Sequence, residues 1–409
     1  MIFPDTGHRY SICATIVVCC VVLFAPSPLR AATHDPNTNI VLGMSTALSG
    51  PASDLGINMK LGVDLALKDV NHRGGIGGKP IRLVALDDGY EPARTIINMR
   101  QLIEKENVLG VIGNVGTPTA IAAVPIANET RTPFLAAYSG AGVLRRDPPD
   151  RYVVNYRASY AEETTAMVNA LITQVGLKPT EVAFFTQRDG YGDAGFIGGI
   201  QALKKHGLQS ENQIVHGRYE RNTLAVELAL AEIMLHKVPP KAIIMVGAYA
   251  PCAQFIRLAK SMDYHGLFLN VSFVGSLSLA RELAEQSTGV IVTQVVPHPN
   301  SELPIAIRYR QAMQQFGPQP ADYSFGSLEG FIAARILISA LQSKHFDGGR
   351  ESVIRSLESM GDFPMGLPEP LRLTTTDHQA SHMVWPTVLI NGSVVPIEWS
   401  DLSGERTRE

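Results

Sequence analysis

The sequence has few of the residues that mark a disulfide-stabilised scaffold or a nucleic-acid-binding chain. Only four cysteines occur in 409 residues, and Cys13, Cys19 and Cys20 lie in an apolar stretch near the N-terminus. If that stretch is removed, Cys252 has no intrachain partner, so we expect no disulfide and a buried, apolar role for Cys252. The formal net charge is −3, and no long run of one charge sign occurs. The charge pattern therefore indicates neither nucleic acid nor an anionic membrane surface as a partner.

Catalytic and metal-binding motifs are also missing. The sequence contains no His-Glu-x-x-His, no Cys-x-x-Cys and no Gly-x-Ser-x-Gly. The run Gly74-Gly75-Ile76-Gly77-Gly78 follows a predicted helix and precedes a predicted strand, which is the reverse of the order in a dinucleotide-binding motif. A helix cap and a turn explain it better. We therefore expect no enzyme, no cofactor and no metal.

The first 31 residues have the plan of a secretory signal peptide. Arg9 precedes an apolar run over residues 12–25, and small residues begin at Ala31. We expect cleavage after Ala31 and a periplasmic mature protein. The alternatives are a membrane anchor, for which the run is short, and a lipid anchor, for which the small residue expected before the cysteine is missing.

Apolar strands alternate with amphipathic helices along most of the chain. In one example, Val108–Ile112 leads through Asn114-Val115-Gly116-Thr117 into a helix that opens at Pro118. A helix of this first series is predicted to open at Pro92. A second series of strands and helices covers residues 164–273, with strands predicted over residues 213–215, 242–246 and 267–273. This alternation predicts parallel sheets covered by helices, and the chain length suggests two domains. In such sheets, ligands bind beyond the carboxyl ends of the strands.

The pattern changes after Gly289. Helices are predicted over residues 304–316, 324–342 and 350–360, and Asn391-Gly392 between two apolar runs predicts a β-hairpin. A tail with so few strands does not easily form its own parallel sheet. We therefore predict that it returns to both domains, so that the chain crosses between them several times.

Two loops at predicted strand ends are suited to binding an anion. Ser49-Gly50-Pro51 and Gly116-Thr117-Pro118 both stand at helix starts. Unpaired N–H groups and the positive end of the helix dipole favour a carboxylate there, and the hydroxyl adds a donor. Each loop taken alone is also explained by helix capping. Several such loops at one sheet edge favour a binding site.

On these residues the sequence resembles the type I periplasmic solute-binding proteins, in the leucine/isoleucine/valine-binding branch that serves ABC importers. The resemblance covers roughly residues 39–399. The segments that carry it keep their order and spacing: Leu48-Ser49-Gly50-Pro51, residues 71–80, Asp87-Asp88-Gly89-Tyr90-Glu91-Pro92, residues 112–117, Arg188-Asp189-Gly190-Tyr191-Gly192, Val246-Gly247-Ala248-Tyr249 and Ser327-Leu328-Glu329-Gly330.

The resemblance implies an α/β fold of two Rossmann-like lobes, joined by a three-crossing hinge and closing on a ligand. The N-terminal lobe would comprise residues 36–156 plus 292–368, and the C-terminal lobe residues 157–291 plus 369–409. The implied partners are a small-molecule ligand, either an amino acid or a small carboxylate, and the membrane permease of an ABC transporter. The implied oligomeric state is a monomer.

The resemblance also implies a set of ligand-binding residues. Thr117 matches the hydroxyl residue that holds the ligand carboxylate. Ser139 and Gly140 match a loop whose backbone contacts the carboxylate and the ammonium. Tyr191 and Tyr249 match tyrosines that cover the ligand from the second lobe, although a turn residue and a surface cap are the alternatives for them.

Two positions depart from the branched-chain binders. Gly140 stands where these proteins usually carry Thr, and Ser272 stands where they carry the Glu that pairs with the α-ammonium. A buried ammonium without a carboxylate partner is unfavourable. Either Asp189 or Glu329 supplies this acid, or the ligand lacks an α-amino group, as an aromatic or aliphatic carboxylate or an amide does.

The expected function is therefore that of an exported, non-catalytic protein that binds a branched-chain amino acid or a related small carboxylate or amide and delivers it to a permease. One alternative is a ligand-sensing protein of the same fold that reports to a receptor or regulator. Another is an enzyme acting on a small acid or amide, which lacks support from any catalytic constellation.

Overall fold

The computed structural model describes residues 39–403. The predicted signal peptide lies outside these residues. Across this range, no helix combines the length and apolar character that a membrane span requires.

Five parallel strands form the sheet of the first lobe, in the order β2-β1-β3-β4-β5. Apolar side chains cover both faces: Leu42 of the sheet packs in a cluster with Met59 of α1, and Val111 packs in another with Leu102 of α2. The strands are β1 Ile40–Thr46, β2 Ile81–Asp87, β3 Gly110–Ile112, β4 Phe134–Leu135 and β5 Val153–Val154, and the helices are α1 Ser53–His72, α2 Pro92–Glu104 and α3 Thr117–Glu129.

The start of α3 depends on a glycine. Gly116, the residue before the helix, has φ 98°, a backbone conformation that side chains with a Cβ rarely adopt. A Cβ at this position would also overlap the ring of Tyr90. This close approach places Thr117 at the helix start, beside the loop that carries Tyr90.

The second lobe contains a seven-stranded sheet in the order β14-β13-β10-β9-β8-β6-β7. The five strands from β10 to β7 in this order are parallel, and β13 and β14 add an antiparallel edge. The strands are β6 Val182–Gln187, β7 His216–Tyr219, β8 Ala242–Val246, β9 Leu267–Asn270, β10 Ile291–Gln294, β13 Trp385–Ile390 and β14 Ser393–Pro396, and the helices are α4 Tyr160–Thr173, α5 Gly190–Lys205, α6 Glu227–Met234, α7 Tyr249–Ser261 and α8 Ser276–Leu283.

The C-terminal part of the chain returns to both lobes, as predicted. The predicted hairpin is present: Asn391 and Gly392 have φ of 49° and 78° and connect β13 to β14 of the second sheet. In the first lobe, α10 packs on α1. The remaining elements are α9 Pro304–Phe316, α10 Phe325–Leu341, α11 Arg350–Glu358 and the antiparallel pair β11 Gly361–Phe363 and β12 Leu371–Leu373.

Three chain crossings run side by side between the lobes, over residues 155–159, 295–303 and 374–384. Asn155 N–H donates to the His378 carbonyl at 2.7 Å, and the Tyr156 hydroxyl donates to the Val295 carbonyl at 3.1 Å. The boundary predicted at residue 292 falls inside β10, a strand of the second sheet, so the second crossing follows Gln294. The fold is thus two α/β lobes on a hinge of three segments.

Two predicted strands differ from the structure. A strand predicted over residues 213–215 is wrong, because Ser210 caps a 3-10 turn over Glu211–Gln213 and the strand is His216–Tyr219. A strand predicted to reach residue 273 ends at Asn270, and residues 272–274 form a 3-10 turn.

Candidate functional site

Thr117 and Ser139 meet beyond the carboxyl ends of β3 and β4. Thr117 is the first residue of α3, and its hydroxyl oxygen lies 2.7 Å from that of Ser139. Both residues are buried. Ser139 Oγ also accepts a hydrogen bond from the Ala141 N–H at 3.3 Å. Two of the predicted residues therefore form one unit at a helix start, where free N–H groups favour an anion.

A cavity of about 570 Å³ lies between the lobes next to this pair. Its size is within the range of small-molecule sites, about 300–1,000 Å³. The first lobe contributes Thr117, Ile121, residues 140–143 and Arg145; the second lobe contributes residues of α4 and α5, including Glu162, Gly190, Asp193 and Ile197; Ser159 and Gln379 come from the crossings.

The Arg145 side chain ties the loop after β4 to the hinge. Its Nη1 donates to the carbonyl oxygens of Ser139 and Ala141, both at 3.1 Å. Its Nη2 donates to the Arg157 carbonyl at 2.8 Å, and its Nε donates to Gln379 Oε1 at 2.7 Å. Burial, together with the neighbouring Arg157, lowers the pKa of Arg145 to about 10. Arg145 is therefore a cation at neutral pH, bonded to neutral oxygens.

Glu162 lies in the first turn of α4 and also lines the cavity. Its Oε2 accepts from the N–H and the hydroxyl of Ser159, both at 2.6 Å, and from Gln379 Nε2 at 3.0 Å. Its Oε1 lies 2.6 Å from Nδ1 of His382. Burial raises the pKa of Glu162, but the hydrogen bonds from His382, Ser159 and Gln379 outweigh it and lower the pKa to about 2. Glu162 is thus ionised, and both its oxygens have partners.

The His382–Glu162 pair should make stability weakly dependent on pH. The hydrogen bond to Glu162 raises the pKa of His382. The pair therefore contributes fully below the unfolded value of about 6.5, and its contribution is lost as pH rises through the raised pKa. Because the His382 side chain is 61% exposed, the effect should not exceed about 1 kcal/mol. His382→Ala should lower the free energy of urea unfolding at about pH 5.5 and have little effect at about pH 9.

A matched control is His265, whose side chain is 82% exposed and pairs with the exposed Asp263. His265→Ala should change the free energy of unfolding by less than His382→Ala at the lower pH. Equal losses for His382→Ala at both pH values would show that the charged pair contributes nothing.

An aromatic layer fills the space between the lobes beside the cavity. The Phe273 ring centroid lies 4.6 Å from Tyr191, 5.5 Å from Tyr138 and 6.0 Å from Tyr90. The Tyr160 ring centroid lies 5.1 Å from that of Tyr191, with the two rings tilted by 49°. All five residues are at most 3% exposed. Tyr191, predicted to cover a ligand, is thus a packed member of this layer.

Tyr249 also contacts the opposite lobe. It begins α7 and is 7% exposed, and Ser53 and Asp54 of the first lobe lie beside its hydroxyl. Like Tyr191, whose hydroxyl donates to the Gly247 carbonyl at 3.2 Å, it is not part of the cavity lining. Tyr249 therefore takes part in the contact between the lobes, whereas Tyr191 packs against Tyr160 and Phe273 of its own lobe.

Ser272 is held by a carboxylate that the sequence did not indicate. Its N–H and hydroxyl donate to Glu163 at 2.7 and 3.0 Å, and the Thr293 hydroxyl donates to the same group at 2.5 Å. Burial raises the pKa of Glu163, while Arg157 and these hydrogen bonds oppose the shift. Ser272 also lies outside the cavity lining.

The two acids suggested as partners for a ligand ammonium are engaged elsewhere. Glu329 accepts two hydrogen bonds from Arg157, both at 2.9 Å. Asp189 accepts from the Tyr191 N–H at 3.0 Å and from Gln187 at 2.7 Å. Neither lines the cavity.

Polar contacts join the two lobes across the cleft. Arg221 Nη2 lies 2.8 Å from Glu91 Oε2, and Asn222 Nδ2 donates to the Gly89 carbonyl at 3.2 Å. Elsewhere along the cleft, the Ser278 hydroxyl donates to the Asp54 carboxylate at 3.0 Å. The structure is therefore a closed arrangement of the lobes.

Residues 39–393 match the family model described as periplasmic binding protein. This match covers most of the chain. The chain belongs to the periplasmic binding protein family. Its relatives place it in the leucine/isoleucine/valine-binding branch. Members of this family bind solutes and are not enzymes.

Relatives of this periplasmic binding protein match it over most of its length. The crystal structure of a possible leucine/isoleucine/valine-binding protein from Rhodopirellula baltica is 48% identical, covers 91% of this chain and 100% of that chain, and has a TM-score of 0.88. Leu/Ile/Val-binding protein homolog 7 of Brucella abortus is 23% identical over 344 residues, which are 80% of this chain and 83% of the relative. A branched-chain amino acid ABC transporter protein from Thermus thermophilus, crystallised with valine, is 19% identical, covers 88% of this chain and 96% of that chain, and shares the fold with a TM-score of 0.77.

The binding protein brings together some of the predicted site residues and separates others. Thr117 and Gly140 line the cavity, and Ser139 joins them through the Thr117 hydroxyl. Tyr191, Tyr249 and Ser272 do not line it, because packing and hydrogen bonds between and within the lobes occupy their side chains.

Sequence reasoning missed the polar groups of the cavity. Ser159 and Glu162 form a capping box, which the spacing Ser-x-x-Glu could have revealed. No local signal marks Arg145 or Gln379, which come together only through the hinge.

Two further expectations concern cysteine and metals. Cys252 is fully buried, as predicted, and burial raises the pKa of its thiol. Within residues 39–403, no three His, Cys, Asp or Glu side chains group closely enough to hold a metal ion.

Proposed function

We propose that this protein is the extracytoplasmic solute-binding component of an ABC importer. It would act in the periplasm as a monomer, capture a small solute between its lobes and present the closed form to a membrane permease. The observation that carries the proposal is the cavity of about 570 Å³, whose walls come from both lobes and the hinge.

Lobe closure follows from this geometry. A solute that touches both walls binds the closed arrangement more tightly than the open one, so it shifts the population toward closure. The contacts of Arg221 with Glu91 and of Asn222 with Gly89 then form across the cleft. In this proposal, Tyr249 and Ser272 act in the contact between the lobes and Tyr191 supports it from the aromatic layer. Thr117, Ser139 and Gly140 face the solute.

Thermal-shift screening against amino acids, aromatic and aliphatic acids and amides tests the proposal. A solute at a hundredfold excess over its dissociation constant should stabilise the folded protein by about 2.7 kcal/mol. Its melting temperature should therefore rise. Small-angle scattering should show a smaller radius of gyration with that solute. A broad screen without any stabilising solute, or a solute recovered chemically altered, would overturn the proposal.

Delivery to a permease is tested separately. Deleting the gene should abolish uptake of the radiolabelled solute by whole cells, and restoring it should recover uptake. Unchanged uptake, together with an altered transcriptional or behavioural response to the solute, would instead support the sensing role.

Thr117→Val should weaken solute binding about tenfold, because a hydroxyl at the start of α3 is removed from the cavity wall. The hydrogen bond to Ser139 is lost as well, so the free energy of unfolding should fall by about 1 kcal/mol. Isothermal titration calorimetry measures the affinity of the solute found by the screen.

Thr119→Val is the matched control. The Thr119 hydroxyl donates within the same helical turn, to the Gly116 carbonyl at 2.9 Å, and is not in the cavity lining. This variant should lose stability and keep its affinity. If Thr117→Val binds as tightly as Thr119→Val does, Thr117 does not contact the solute.

A further inference from the structure

The cavity contains a cation that has no acid as a hydrogen-bond partner. Arg145 lines it and donates to three carbonyl oxygens and to the Gln379 amide oxygen. These bonds use four of the five guanidinium N–H groups, and among residues 39–403 the second Nη2 hydrogen has no acceptor. Arg145 is therefore a source of positive charge beside Thr117 and the 139–141 loop.

The two acids of the cavity lining, by contrast, already have hydrogen-bond or ion-pair partners. Glu162 is paired with His382 and accepts hydrogen bonds from Ser159 and Gln379. Asp193 forms an ion pair with Arg218 at 2.5 Å. The lining has no other carboxylate. A ligand ammonium buried here would lack a free carboxylate partner, which is unfavourable.

Apolar side chains from both lobes line the cavity, although Asp193 and Gln201 of α5 also lie in its wall. Ile121 of α3 and Ile197 of α5 line it from opposite lobes, together with Val143 and Ala194. The two isoleucines are 45% and 54% exposed. An apolar group placed between them would remove this surface from water and bind both lobes at once.

We propose that the ligand is an amphipathic carboxylate without an α-ammonium group, an aliphatic or aromatic acid. This inference rests on the proposed function and names the solute class of the same site. The carboxylate lies at the polar end, near Thr117, the 139–141 loop and Arg145, where the start of α3 adds to the positive field. The apolar part of the acid lies between Ile121 and Ile197.

Calorimetry with two matched sets of compounds tests the inference. One set is 4-methylpentanoate, 4-methylpentanamide and L-leucine; the other is 3-phenylpropanoate, 3-phenylpropanamide and L-phenylalanine. In at least one set the acid should bind about thirtyfold or more tightly than both the amide and the amino acid, since an unmatched buried charge or polar group weakens binding strongly.

The outcomes separate the inference from the proposed function. If an amino acid or an amide binds as tightly as its acid, the inference is overturned while solute binding stands. If none of the six binds and the broad screen finds a solute without a carboxylate, the inference is again overturned. If the broad screen finds no solute at all, the proposed function itself fails.

Charge substitutions at Ile197 provide a second test. Because Ile197 is 54% exposed, they should not prevent folding. Ile197→Asp should weaken binding of the acid about tenfold or more by like-charge repulsion, whereas Ile197→Lys should weaken it much less. Ile97→Asp is the matched control, because Ile97 is 66% exposed on α2 and does not line the cavity. Equal losses for Ile197→Asp and Ile197→Lys would show that charge plays no part and would overturn the inference.

Discussion

Replacing Glu329 by Gln is expected to lower the free energy of unfolding by about 3–5 kcal/mol. The Glu329 carboxylate accepts two hydrogen bonds from Arg157, and the two side chains are only 3% and 1% exposed. The substitution removes the negative charge and leaves the guanidinium buried over the Tyr138 ring, 4.2 Å from its centroid. A ring face offsets little of the lost pairing. Urea unfolding of the ligand-free protein, followed by circular dichroism, measures the loss.

Two comparisons isolate the cause. Asp322→Asn breaks an ion pair with Arg281 whose side chains are more than half exposed, and it should change the free energy of unfolding by no more than about 0.5 kcal/mol. The double replacement Arg157→Met with Glu329→Leu removes both charges and should be less destabilising than Glu329→Gln alone. A loss below about 1 kcal/mol for Glu329→Gln would mean that water or another group compensates Arg157.

The pair also matters for the hinge. Arg157 lies in the first crossing between the lobes, and Glu329 lies on α10, which packs on α1 of the first lobe. The ion pair therefore fixes the crossing to the first lobe at one end, and Arg145 binds the Arg157 carbonyl from the other side. Breaking this ion pair should therefore also disturb the polar end of the cavity, where Arg145 lies.

The architecture was predictable because strand and helix patterns repeat locally. Buried apolar runs such as Ala242–Val246 are strands in the structure, and Pro92 begins α2 as expected. The Asn391-Gly392 turn was equally readable, since both residues adopt the positive φ that this hairpin requires. These features are determined by residues that are close together in the chain, so they can be recognised from a single sequence.

The errors in the predicted strands arise where tertiary contacts override the local sequence pattern. The apolar stretch before residue 273 suggested a longer strand. The Ser272 N–H donates instead to Glu163 of α4, which takes the residue out of the sheet ladder. Nothing in the sequence indicates that residues 163 and 272 are in contact.

The site was predictable only in part, for the same reason. Thr117 and Gly140 lie at strand ends, where the α/β pattern directs attention, and both line the cavity. Arg145 and Gln379 are 234 positions apart and meet through the hinge at 2.7 Å. Tyr191 and Tyr249 were assigned to the ligand by resemblance alone. In the structure Tyr191 packs against Phe273, and Tyr249 lies beside Ser53 and Asp54 of the first lobe.

Replacing Gly62 by Val should destabilise the ligand-free protein by about 3 kcal/mol, because α1 and α10 approach through glycines. A Cβ on Gly62 would overlap the Ser327 carbonyl oxygen, and a Cβ on Gly330 would overlap the Met59 carbonyl oxygen. Both obstacles are backbone atoms, which cannot rotate away as the end of a side chain can. The helices must therefore separate, and the buried surface between them opens. Urea unfolding again gives the measurement.

Gly142→Val is the matched control, because no heavy atom lies within 4 Å of a Cβ added at Gly142; its effect should stay within about 0.5 kcal/mol. Since α10 also carries Glu329, separating the helices should weaken the Arg157 pair, and the losses of Gly62→Val and Glu329→Gln should sum to more than the loss of the double variant. Simple additivity would mean that the helix contact and the ion pair are independent. A Gly62→Val protein as stable as Gly142→Val would show that α1 and α10 are not in close contact in solution.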